Sequence, residues 1–180
     1  MKNTLLAICF IFANYSFSQI FMCKDGKTKF TSEAPLELIK AESVKTVGAI
    51  DCGNKNVAFS VNVDSFNGFN SGLQKEHFRE NYLETMKYPN ATFKGKIIED
   101  IDFKKNGTYT VRAKGKFNIH GTEKEKIVKA KIVVTDTEII IDANFEVPLE
   151  DHNISVPKVV NQKIASVIMV SVAATLKKKS

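Results

Sequence analysis

The chain of 180 residues has no tryptophan and only three histidines, three cysteines and four prolines. These absences exclude much chemistry. His77, His120 and His152 do not stand at helical i, i+4 spacing, and none lies beside a cysteine in a metal-ligand pattern, so the common zinc arrangements are missing. No nucleophile elbow, P-loop or dinucleotide fingerprint occurs either. The acidic pairs Glu99-Asp100 and Glu150-Asp151 flank turns and read as solvated charge. A hydrolase or metal site would require His77 and His120 to converge, and nothing in the spacing demands it. The sequence therefore reads as a non-enzyme with no catalytic residue, metal or cofactor.

Arginine is scarce, with only Arg79 and Arg112, and no aromatic RNA-binding motif accompanies the lysines. The formal charge of +6 is spread thinly, ending in Lys177-Lys178-Lys179, as expected of a solvated lysine surface. Nucleic acid is not an expected partner. No apolar run is long enough for a transmembrane helix, and no repeat or low-complexity stretch marks a second domain.

The first residues form a pattern of their own. Lys2 precedes the apolar run Leu5 to Ala13, and Ser16-Phe17-Ser18 offers small residues at the spacing a signal peptidase reads. The expectation is a signal peptide at 1–18 and one folded domain at 19–180, periplasmic or secreted. Cys9 follows the bulky Ile8, which argues against a lipoprotein anchor there. Removal of Lys2 takes the formal charge from +6 to +5. Export also permits Cys23 and Cys52 to pair, although two unpaired thiols suit the sequence equally. A disulfide between them would close a loop of about thirty residues, worth roughly 3 to 4 kcal/mol.

What remains is mostly alternation. Strand patterns run from Lys27 to Glu33 and from Glu37 to Ile50. Val57, Phe59, Val61 and Val63 then share one face, as do Ala91, Phe93, Gly95 and Ile97. Asn106-Gly107 is a strong two-residue hairpin signal. Beyond it Tyr109, Val111, Ala113, Gly115, Phe117 and Ile119 alternate with polar residues, and His120-Gly121 makes the next turn. Lys124 to Val134 and Glu138 to Val147 follow, the second with Ile139, Ile141, Ala143, Phe145 and Val147 on one face. Ile164 to Leu176 is apolar on both faces, so a covering element is expected over it.

One stretch breaks the alternation. Ser71 and Gln74 match a capping box, and Phe78, Tyr82 and Met86 recur at four-residue spacing up to Pro89. This predicts an amphipathic helix, with Phe66 and Phe69 packed beneath it. About eight strands joined largely by hairpins favour an up-and-down antiparallel β-barrel, because closure removes aggregation-prone edges. Its interior could be filled by side chains or could hold one slender ligand, and periodicity leaves both open.

The segments H-F-R-E-N-Y-L-E-T-M-K-Y-P-N-A-T-F-K-G at 77–95 and G-K-F-N-I-H-G-T at 115–122, followed by the proline-containing loop before I-A-S-V-I-M-V-S-V, resemble the YceI family in order and spacing. That resemblance covers residues 27–176. It implies a lipocalin-like barrel with a short helical lid and an apolar tunnel for an isoprenoid chain such as a quinone tail or polyprenyl phosphate. The implied lining is Phe59, Val61, Phe66, Phe69, Phe78, Tyr82, Tyr88, Phe93, Ile97, Tyr109, Val111, Ala113, Phe117, Ile141, Phe145 and Ile168. His77, Arg79, Lys94 and Lys75 are the head-group candidates by position. The alternative is a filled barrel acting as a stress-related or inhibitory interaction module, and a homodimer suits either.

Overall fold

The computed structural model describes residues 19–179, so the expected signal segment and Cys9 lie outside the described residues. Eight strands form one closed antiparallel barrel in sequence order: β1 (Ile20–Glu33), β2 (Leu38–Asp51), β3 (Asn56–Asn62), β4 (Asn90–Ile97), β5 (Gly107–Ile119), β6 (Thr122–Val134), β7 (Glu138–Pro148) and β8 (Val167–Lys178). β1 pairs with both β2 and β8, which closes the ring. The predicted barrel and its strand count are thus observed. Alternation explains the wall: in β7, Ile139, Ile141, Ala143 and Val147 are buried between exposed Ile140, Asp142, Asn144 and Glu146.

Four local expectations are corrected. β1 starts at Ile20 rather than Lys27, because the strand continues through Asp25-Gly26 as a β-bulge. Register shifts flank Gly26, whose backbone lies against Thr46 and Ala174 with little room for a side chain. Asn106-Gly107 is not the hairpin. Gly107 begins β5 without positive φ, and the chain turns at Asp102, whose carboxylate accepts from Lys104 N (3.0 Å) and whose carbonyl accepts from Lys105 N (3.0 Å). The connection is long because it carries Phe103, 8% exposed, into the core at the barrel's end. The true two-residue turn is His120-Gly121, with φ of 52° and 70°, between the paired Ile119 and Thr122.

The third correction concerns the helix. Ser71 caps α1 (Gly72–His77) by accepting from Gln74 N (3.1 Å), but the Gln74 side chain accepts from Asn70 N instead of completing the box. From Phe78 to Tyr82 the ladder widens to a π turn, closed by Leu83 N donating to Phe78 O (3.0 Å), and the helix ends seven residues before Pro89. The wider turn brings Leu83, 6% exposed, inward and throws Met86 out to 95% exposure. Fourth, the outer face of β8 has no cover among the described residues. Val167 and Met169 are 39% and 46% exposed, and the small Ala173 and polar Ser171 and Thr175 complete that face.

Candidate functional site

The barrel is not filled. A cavity of about 560 Å³ runs through its interior, within the size range of small-molecule sites. At one end Phe21, Phe103, Val134, Ile139 and Leu176 pack into a solid plug, assisted by Tyr109 and Ile101. Midway, Phe59, Phe93 and Phe117 face the space from β3, β4 and β5. Gly48 of β2 leaves room for the Phe59 ring directly against its backbone.

The other end is the mouth. Phe30 of β1 stacks on Phe78 at 5.3 Å between ring centroids, and Phe66 and Phe69 close the cluster at 6.1 and 5.0 Å from Phe78. The loop after β3 thus packs beneath the lid as predicted. Leu73, Gln74, His77, Phe78, Tyr82 and Leu83 bring the helical segment over the opening, while Val160, Lys163 and Ile164 line it from the segment before β8. Burial pushes the Tyr82 phenol up from its ordinary value.

The wall also carries hydroxyls. Thr28 and Thr46 are hydrogen-bonded to each other at 2.6 Å, and Ser32 accepts from Ala165 N (2.9 Å). All three line the cavity. Of the expected lining residues, the structure places Phe59, Val61, Phe66, Phe69, Phe78, Tyr82, Phe93, Ile97, Val111, Ala113, Phe117, Ile141, Phe145 and Ile168 on the cavity. Two are elsewhere. Tyr109 belongs to the plug, its hydroxyl donating to Lys105 O (2.9 Å). Tyr88 lies against Gly121 and edge-on to His120 at 4.9 Å, so it clamps the β5–β6 turn. The two sequence stretches Y-P-N-A-T-F and H-G-T therefore meet in space.

The head-group candidates fare unevenly. His77 is exposed at the mouth and lines the cavity. Arg79 forms an ion pair with Asp64, and Lys75 donates to Asn67 Oδ1 (2.6 Å), so both are engaged outside the cavity. Lys94 points outward from β4 opposite Lys116. Lys163 was not anticipated: it sits in an irregular segment whose neighbours show no period. Glu37 also lines the mouth and accepts from Gln74 Nε2 (2.9 Å) and Asn70 Nδ2 (3.3 Å).

Cys23 and Cys52 are free thiols. Cys52 N donates to Gln19 O (2.9 Å), so Cys52 lies beside Gln19, which immediately precedes β1 and stands four residues before Cys23 with no bulge between Ile20 and Cys23. At the strand rise that separation is about 13 Å, beyond disulfide reach. Burial raises both thiols, Cys52 to about 11.

His120 has both ring nitrogens occupied, Nε2 by Glu84 (2.7 Å) and Nδ1 by His152 O (3.1 Å), which is a structural arrangement. Buried His152 donates from Nδ1 to Thr122 O (3.0 Å). Among the described residues no group of three His, Cys, Asp or Glu side chains could hold a metal, and no helix is long and apolar enough to cross a membrane.

Solved structures share this architecture. The polyisoprenoid binding domain from Saccharophagus degradans aligns with a TM-score of 0.75 at 13% identity, covering 90% of this chain and 99% of that one. BcnA from Burkholderia cenocepacia aligns at 0.69 and 13% identity, over 84% and 95%. The YCEI protein of Campylobacter jejuni aligns at 0.56 and 16%, over the full length of both. Comparison with curated proteins finds no significant match. The YceI-like domain matches residues 17–176, nearly all of the barrel and its lid, and the chain belongs to the YceI-like family.

Proposed function

We propose that the protein is a non-catalytic carrier that holds a long-chain isoprenoid or similar amphiphilic lipid in the barrel, in the periplasm or as a secreted protein once residues 1–18 are removed. The observation that carries this reading is the cavity itself, blind at one end and lined mainly by aliphatic and phenylalanine side chains. Such a space offers a flexible apolar chain burial at about 25 cal/mol per Å² and offers a polar solute almost nothing. The polyisoprenoid-binding relative from Saccharophagus degradans supports the same class of cargo. A quinone or polyprenyl phosphate would place its tail among Phe59, Phe93 and Phe117 and its head toward His77 and Lys163. The filled-barrel interaction module is disfavoured by the cavity's volume.

The test is native mass spectrometry, with solvent extraction, of protein purified gently from its own host. Near-stoichiometric isoprenoid lipid is the expected result. An empty barrel, or a bound polar solute, would overturn the proposal.

A further inference from the structure

Three segments meet at the mouth, and each leaves an apolar side chain in water. Leu36, in the turn between β1 and β2, is 66% exposed; Leu73, in the first turn of α1, is 61% exposed; Val159, at the tip of the Lys158–Val160 turn, is 89% exposed. They form one rim. Leu36 N donates to Gln162 O (2.9 Å), and the Gln74 side chain donates to Glu37 (2.9 Å), which ties the three segments together. Leu73 itself lines the cavity, as does Val160 beside Val159, so the apolar rim is continuous with the apolar interior.

Charge on this rim is one-sided where Val159 projects. No aspartate or glutamate occurs after Asp151, so Lys158 and Lys163 are brought to the opening by a segment without an acid of its own. Among the described residues neither lysine has a carboxylate within ion-pair distance. Lys114 and Lys116 on the wall, in contrast, are paired with Glu125 and Glu123 at 3.6 and 2.7 Å. On the other two rim segments Glu37 is occupied by Gln74 and Asn70, while Glu33 and Glu76 are exposed, so the positive charge is concentrated on the segment that carries Val159.

An apolar tip flanked by unpaired lysines matches the interface of an anionic bilayer: apolar side chains enter at the acyl boundary while ammonium groups meet lipid phosphates. We propose that this rim docks the barrel, mouth down, on an anionic membrane surface. Leu36, Leu73 and Val159 enter the head-group region, and Lys158 and Lys163 meet the anionic lipids. A docked barrel opens onto the bilayer, so a lipid chain can pass between them without crossing water. The docking surface is independent of which molecule the cavity holds, and its test requires no cargo.

Flotation of the chain spanning residues 19–180 with phosphatidylcholine vesicles, with and without phosphatidylglycerol, measures this directly. Binding is expected only with the anionic lipid. Reversing both mouth lysines, Lys158→Glu with Lys163→Glu, should weaken it by about twentyfold or more. Leu36→Asp with Val159→Asp should weaken it as well, whereas Lys94→Glu with Lys96→Glu on the barrel wall should leave most of it. All these side chains are exposed, and thermal melts of the variants should match the parent. Absence of binding to anionic vesicles overturns the proposal, as does equal loss from wall and mouth reversals. So does a rim variant that converts a dimer to a monomer without changing vesicle binding, because a second copy would then cover the rim.

Discussion

His120 Nε2 and Glu84 Oε2 lie 2.7 Å apart, and both residues hold left-handed backbone, with φ of 52° and 44°. Each conformation is unfavourable for a residue with a side chain, and the contact joins the end of the lid segment to the turn between β5 and β6. The two ring nitrogens of His120 thus hold the Glu84 carboxylate on one side and the His152 carbonyl on the other. Glu84→Ala should therefore release the lid segment. The Glu84 side chain is 43% exposed, which screens the pair and limits the expected loss to about 1 kcal/mol. Glu84→Gln should lose less, since the amide keeps a hydrogen-bonding group within reach of the ring. Thermal melts and hydrogen exchange of residues 83–88 would check this, with faster exchange in Glu84→Ala than in Glu84→Gln.

How far these features were legible depends on whether one local pattern governed each segment. The wall strands were readable because a strand with one wet face must alternate, as Val57 to Val63 and Tyr109 to Ile119 do. β1 was less so, since its inward face carries Thr28 and Ser32 around Phe30, and the bulge at Gly26 resembles a turn. The four-residue spacing of Phe78, Tyr82 and Met86 fits an ordinary helix as well as it fits any other, and the π turn that substitutes Leu83 for Met86 has no sequence period. Asn106-Gly107 carried the composition of a tight hairpin, but the loop had to reach across the barrel end to bury Phe103. The mouth was least legible, because Phe30, Leu83 and Lys163 come from three segments that only the closed fold assembles.

His152 gives the fold a pH dependence whose sign follows from its burial. Desolvation is the largest influence on the ring and pushes it below its ordinary value of 6.5, against the opposing effects of the Thr122 carbonyl and Asp151. Lys126 and Lys124 add to the lowering. In the unfolded chain the ring takes a proton near 6.5; in the folded chain it takes one only at lower pH. The unfolded state then binds more protons, so stability is full above that value, declines as pH falls through it, and levels off below the folded value. Denaturant unfolding across pH 7.5 to 5 should show this decline in the parent. His152→Gln keeps a donor for Thr122 O and should flatten that component, while a curve of unchanged slope would remove His152 as its source.

The thiols offer a separate check on the strand register. If Cys23 and Cys52 are held about four residues apart along β1, no disulfide forms even under oxidising conditions. The purified chain spanning residues 19–180 should release two titratable thiols in denaturant without reductant. In the native state both should react slowly near neutral pH, because burial suppresses the thiolate and raises Cys52 to about 11. A mass two hydrogens lighter, with no titratable thiol, would show that β1 and the β2–β3 turn sit differently.

Filling the barrel separates cavity residues from glycines that merely allow the strands to approach. Ala113 and Ala143 line the cavity from β5 and β7, so Ala113→Leu or Ala143→Leu puts new volume into empty space. Either should cost little stability and should reduce the amount of co-purifying lipid, with the double substitution more effective than each alone. Gly115 is different. It lies directly opposite Gly95, and a Cβ there would overlap the Lys94 carbonyl across the β4–β5 pair. Gly115→Leu should therefore destabilise the barrel on the order of 1 to 3 kcal/mol, because the strands must move apart. Comparing melts with extracted lipid for these variants distinguishes the two effects. Cargo lost at an unchanged melting temperature, with Ala113→Leu and Ala143→Leu, is the signature of an occupied cavity, and undiminished cargo in the double variant would place the lipid somewhere other than inside the barrel.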